Sequence, residues 1–81
     1  MIIKVTAEHI KNGQPRNNCA CPIALAVDEQ MKVKSVVTTY AIFISNTRYV
    51  LPDAAKAFIS AFDSLEQVEP FEFELYENTS N

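Results

Sequence analysis

The feature that most constrains the fold is a strand-favouring stretch, Val33 to Leu51, held between two proline-marked helix starts at Pro22 and Pro52. Its Val, Ile, Thr, Tyr and Phe residues suit pleated backbone. Proline is tolerated at a first helical position because its missing N–H would be unpaired there anyway. The middle of the chain therefore reads helix, strands, helix, with two or three strands. Tyr40 to Ile44 is the best defined of them. Tyr40, Ile42 and Ile44 face one way and Ala41 and Phe43 the other, so both faces are apolar and the strand is central or at an interface. Val33 to Thr38 supplies one neighbour. Ser45-Asn46-Thr47 predicts a hairpin turn, with Asn46 best suited to positive φ, and Arg48 to Leu51 returns beside it.

The flanks complete the pattern. Residues 1 to 5 read as a short strand, and Thr6 as the N-cap of a helix from Ala7 to Asn12, with Val5 and Ile10 at hydrophobic-staple spacing. Gly13, the single glycine, stands where a helix end wants a left-handed residue. A polar loop, 13 to 20, leads to Cys21 at the N-cap of the second helix. Residues 22 to 27 are apolar nearly all round, which marks a core helix, with Asp28, Glu29 and Gln30 reaching water. Pro52 opens a third helix running to about Ser64, in which Ala55, Phe58, Phe62 and Leu65 form an apolar stripe with Ile59 beside it, opposite Lys56, Ser60 and Asp63. The last strand, Phe71 to Tyr76, alternates Phe71, Phe73 and Leu75 with Glu72, Glu74 and Tyr76.

The expected class is α+β: a small, mostly antiparallel sheet of about four strands packed on one face by two or three helices, in the order β-α-α-β-β-(β)-α-β. If the first and last strands are neighbours, Lys4 faces Glu72 or Glu74. With 81 residues there is room for one core, so residues 1–77 form a single domain and 78–81 a flexible polar tail. A chain this short buries only about 60–65 % of its unfolded surface, and a homodimer is one way to add stability.

Charge divides the chain. Residues 1 to 51 carry Lys4, Lys11, Arg16, Lys32, Lys34 and Arg48 against Glu8, Asp28 and Glu29; residues 52 to 81 carry Lys56 against Asp53, Asp63, Glu66, Glu69, Glu72, Glu74 and Glu77. The net charge of −3 is thus a basic part joined to a strongly acidic one. The basic residues are sparse and interleaved with apolar ones, which disfavours a nucleic-acid surface; weak single-strand binding through Tyr40, Phe43 and Tyr49 ranks last among the readings. No apolar run approaches a membrane span, and Met1-Ile2-Ile3-Lys4 lacks a signal-peptide core, so a cytoplasmic protein without membrane attachment is expected.

Chemistry concentrates at Cys19-Ala20-Cys21-Pro22. A thiol at a helix N-terminus can have a lowered pKa, which would make Cys21 nucleophilic or oxidisable, yet a reduced structural cysteine is the commoner use of such a position. A metal would need about four ligands, and His9, Cys19 and Cys21 are one short; His9 is expected on the exposed side of the first helix. The single histidine leaves no nucleophile and base arrangement, no glycine loop cradles phosphate, and Glu72 and Glu74 share a face as any alternating strand would. The expectation is a non-enzymatic protein without a cofactor. The acidic segment holding Asp63, Glu66, Glu69, Glu72, Glu74 and Tyr76 is the candidate docking surface for a protein partner.

Thr6-Ala7-Glu8-His9-Ile10, Cys21-Pro22-Ile23-Ala24-Leu25-Ala26, Val50-Leu51-Pro52 and Pro70-Phe71-Glu72-Phe73-Glu74-Leu75 together resemble a group of small bacteriophage and prophage proteins with no established activity. The resemblance spans most of the chain, and its motifs are structural. It implies a phage-encoded accessory factor in the bacterial cytoplasm that occupies a surface of a host or phage protein, a defence-system inhibitor of the anti-CRISPR type being one version. The alternative is a thiol-dependent redox or metal-binding module centred on Cys19 and Cys21.

Overall fold

A computed structural model describes residues 1–77; the expected polar tail, 78–81, lies outside the described residues. The first strand, β1 (Ile2–Val5), turns Ile3 and Val5 inward and Ile2 and Lys4 outward. Thr6 then caps α1 (Ala7–Asn12) as its sequence position predicts. Gly13 follows, but its backbone is extended (φ −73°, ψ 157°), not left-handed. The need for glycine there is spatial, since a Cβ would sit 2.6 Å from Cδ and Cγ of Pro22 and 2.7 Å from its nitrogen. The loop thereby packs flat against the start of α2 (Pro22–Met31).

Cys21 is the N-cap of α2 and Pro22 its first residue, in line with the sequence. Pro22, Ile23, Ala24, Ala26 and Val27 are all buried, as a helix apolar nearly all round must be. α2 packs against β1 and also against β2 (Ser35–Val37), so it ties the two ends of the molecule together. β2, β3 (Ala41–Ile44) and β4 (Thr47–Val50) form an antiparallel meander with β3 in the centre. Ala41, Ile42 and Ile44 are buried and Phe43 is half-buried, which matches the two-sided apolar reading; Tyr40 falls outside the strand and is exposed. Ser45 (φ 48°) and Asn46 (φ 65°) make the two-residue turn before Thr47, both in the positive-φ region that a type I′ hairpin requires.

Helix α3 (Asp53–Asp63) begins one residue later than expected: Pro52 is the N-cap and Asp53 the first helical residue. Ala55, Phe58 and Ile59 are buried and Phe62 packs at the margin, but Leu65 leaves the stripe. It is 72 % exposed with φ 62°, because the helix has already ended at Ser64. Leu65 N–H donates to the Phe62 carbonyl and Glu66 N–H to that of Ala61, the paired bonds of a Schellman ending.

The last strand, β5 (Phe71–Glu74), pairs antiparallel with β1, setting Lys4 opposite Glu72 and Ile2 opposite Glu74. The α+β class and antiparallel pairing follow the sequence reading, with five strands arranged as a two-stranded and a three-stranded sheet. The two meet where the chain peels away from β1. Leu75 N–H still donates to the Met1 carbonyl, whereas the Tyr76 carbonyl accepts from Val50 N–H at 3.0 Å and Glu77 bridges to Tyr49. A single core joins both sheets, from Ile3, Val5, Phe73 and Leu75 to Val37, Ile42 and Ile44, with Ile23, Val27, Phe58 and Ile59 from the helices. Phe71 stacks between Phe58 and Phe73, with ring centroids 4.8 and 5.7 Å away.

Candidate functional site

Asp28 and Gln30, at the end of α2, are half-buried and bonded to neighbouring elements, whereas Glu29 between them is exposed as the sequence reading expects. Asp28 Oδ1 accepts from Ser35 N–H at 2.8 Å and from Ser35 Oγ at 2.7 Å. Gln30 acts on β1 as a neighbouring strand would: its Oε1 accepts from Lys4 N–H at 3.0 Å and its Nε2 donates to the Lys4 carbonyl at 2.8 Å. With Val37 N–H donating to the Asn18 carbonyl, the outer sides of β1 and β2 are closed to further pairing at these residues.

His9 is the third such group, and it is buried, contrary to its expected exposed position. It occupies the third position of α1, where its Nδ1 lies 3.0 Å from Thr6 N–H while Thr6 Oγ1 accepts from His9 N–H, a reciprocal capping box. Its Nε2 stands 2.8 Å from Glu29 Oε1, so α1 is fastened to α2. The Thr-x-x-His spacing was readable, but a capping box is ordinarily recognised by Glu or Gln at that place.

The cysteine corner is equally structural. Cys21 Sγ accepts from Ala24 N–H at 3.4 Å and the residue is 6 % exposed. Burial pushes its thiol above the ordinary 9.0, outweighing the backbone N–H groups that pull it down. The lowered pKa expected of a helix N-terminus is therefore reversed. Cys19 is exposed and both thiols are free. Among the described residues no three His, Cys, Asp or Glu side chains converge to hold a metal ion, so His9, Cys19 and Cys21 do not assemble a site.

The acidic segment divides by role. Asp63 holds the 13–20 loop: its Oδ1 accepts from Arg16 N–H at 2.8 Å and its carbonyl from Arg16 Nη1 at 2.7 Å. Glu66 and Glu69 lie exposed in the connection between α3 and β5, and Glu72, Glu74 and Tyr76 project from the outer side of β5 and its continuation. Glu74 pairs with the amino group of Met1. Beside Glu72 runs an open groove of about 350 Å³ lined by Lys4, Val5, Thr6, Ala7, Pro70, Phe71 and Glu72. Sequence pattern alone did not mark Val5–Ala7 and Pro70–Phe71 as a shared wall, since only the β1–β5 register brings them together.

The aromatics weighed for nucleic acid are scattered in environment. Tyr40 is exposed, with the Arg48 guanidinium 5.9 Å from its ring centroid, while Phe43 and Tyr49 are half-buried. Among the described residues no helix is long and apolar enough to cross a membrane. Compared with protein-family models, curated proteins and solved structures, the chain matches none.

Proposed function

We propose that this chain is a non-enzymatic protein-binding domain that meets a basic partner through Glu66, Glu69, Glu72, Glu74 and Tyr76. The observation that supports this reading is a contrast in how its polar groups are used. Asp28, Glu29, Gln30, Asp63 and Cys21 each make a bond that holds one part of the fold to another or caps a helix, whereas Glu66 and Glu72 are exposed with no side-chain hydrogen bond or ion pair among the described residues, and Glu69, also exposed, takes only a 3.4 Å bond from Gln67 two residues away. Carboxylates displayed together speed association with a positively charged surface and reject a negative one. Tyr76, half exposed beside them, adds an aromatic of the kind that anchors interfaces. Set with the resemblance of its motifs, this reading describes a phage-encoded accessory factor that works by occupying a surface of a host or phage protein, a defence-system inhibitor of the anti-CRISPR type among them.

The test is affinity capture from bacterial lysate with the native chain and with the doubly reversed Glu72→Lys/Glu74→Lys variant, followed by mass spectrometry. A specific partner retained by the native chain, released by salt and lost with the variant is the expected result. Repeated recovery of no partner that distinguishes the two chains contradicts it.

A further inference from the structure

We propose that the outer edge of β5, at Glu72 and Glu74, takes up an extended segment of a basic partner as an added antiparallel strand. The ladder decides which backbone groups are free. Leu75 N–H donates to the Met1 carbonyl, so Leu75 is bonded to β1, and by the alternation of an antiparallel ladder so are Phe73 opposite Ile3 and Phe71 opposite Val5. Glu72 and Glu74 fall between them, with N–H and C=O pointing away from β1. Two contacts agree with this phase. Lys4, opposite Glu72, turns its own N–H and C=O away from β5 to Gln30, and the Tyr76 carbonyl, two residues beyond Glu74, is taken by Val50 N–H of β4.

The backbone groups of Glu72 and Glu74 have no hydrogen-bond partner among the described residues, and both residues are exposed. Neighbouring edges are closed: Gln30 covers β1 at Lys4, and Asn18 covers β2 at Val37. An open row of donors and acceptors is a template for another strand. Charge selects the occupant. A second copy pairing antiparallel through this edge sets glutamates opposite glutamates, which is destabilising, whereas a strand with Lys or Arg at every second position sets a cation opposite each. Lys4 lies on the far side of Glu72, about 10 Å or two strand spacings from an added strand, where its repulsion is largely screened. Glu74 already pairs with the Met1 amino group, so Glu72 is the stronger anchor. The inference rests on the acidic surface being the docking site, and adds that the partner is held by its backbone as well as by its charges.

The experiment is NMR and amide exchange of the full, isotopically labelled chain with a short peptide of alternating lysine and threonine, and with the same peptide N-methylated at its lysines. The second keeps every charge but loses the donors that would face β5. The first peptide is expected to bind and to slow exchange at the Glu72 and Glu74 amides about tenfold, the order of one net hydrogen bond, and the second to bind at least about tenfold more weakly. Equal binding of the two without new protection overturns this inference and leaves the acidic docking surface standing. Binding of neither removes both. Protection of these amides by self-association of the chain alone also overturns it, because the occupant is then a second copy.

Discussion

Gly13 lies against the ring of Pro22 so closely that a Cβ would meet three of its atoms at 2.6 to 2.7 Å. The backbone there is one any residue could adopt, so space alone forbids a side chain. Gly13→Ala is expected to cost about 1–3 kcal/mol, the range for overpacking a tight contact. Adding Pro22→Ala should recover part of this, since the ring carbons leave but the nitrogen stays. Urea denaturation of the native chain and the two variants measures it, and a Gly13→Ala chain as stable as the native one contradicts the packing argument.

The opposite exchange should stabilise Leu65. Its left-handed backbone and 72 % exposure mean that the side chain contributes strain and little packing. Leu65→Gly is expected to gain about 0.5–1 kcal/mol, the relief of left-handed strain less the added freedom of the unfolded chain. A thermal melt that falls for this variant would show that Leu65 packs against something it does not touch in the fold described above.

These two positions show what could be read from the sequence and what could not. Thr6, Cys21 and Pro22 were legible because capping rests on neighbours in the chain, and the β3–β4 hairpin because Asn46 favours positive φ. Gly13 was misread because its constraint comes from a residue nine places on, across a loop. The left-handed residues instead fall on Arg16, Lys32, Ser45, Asn46 and Leu65; at all of these but Asn46, tertiary closure overrides local preference. Of the candidate site, the outward alternation of Glu72, Glu74 and Tyr76 was plain from the pattern. The separate duty of Asp63 was hidden, because Arg16 reaches it from 47 residues away.

Burial of Cys21 sets a pH dependence. Its folded thiol holds its proton above the ordinary 9.0, so it supports the fold fully below the unfolded value and ceases to do so as pH climbs through the higher folded one. Cys21→Ser keeps an N-cap acceptor that does not titrate in that range. The native chain should therefore weaken relative to this variant as pH rises beyond about 9. In the native state an alkylating reagent should modify Cys19 readily and Cys21 only on opening. Equal labelling rates, or parallel alkaline stability curves, contradict this account.

Whether the exposed carboxylates of β5 form a binding surface is best decided by an NMR titration of the isotopically labelled chain with an extended lysine- and arginine-rich peptide. The expected result is a saturable set of amide shifts confined to Glu66 through Tyr76 and the facing residues of β1, weakened by salt and abolished by Glu72→Lys/Glu74→Lys. Shifts scattered over the molecule, or a set that survives the charge reversal, would contradict the claim that this acidic surface is where the protein meets its partner.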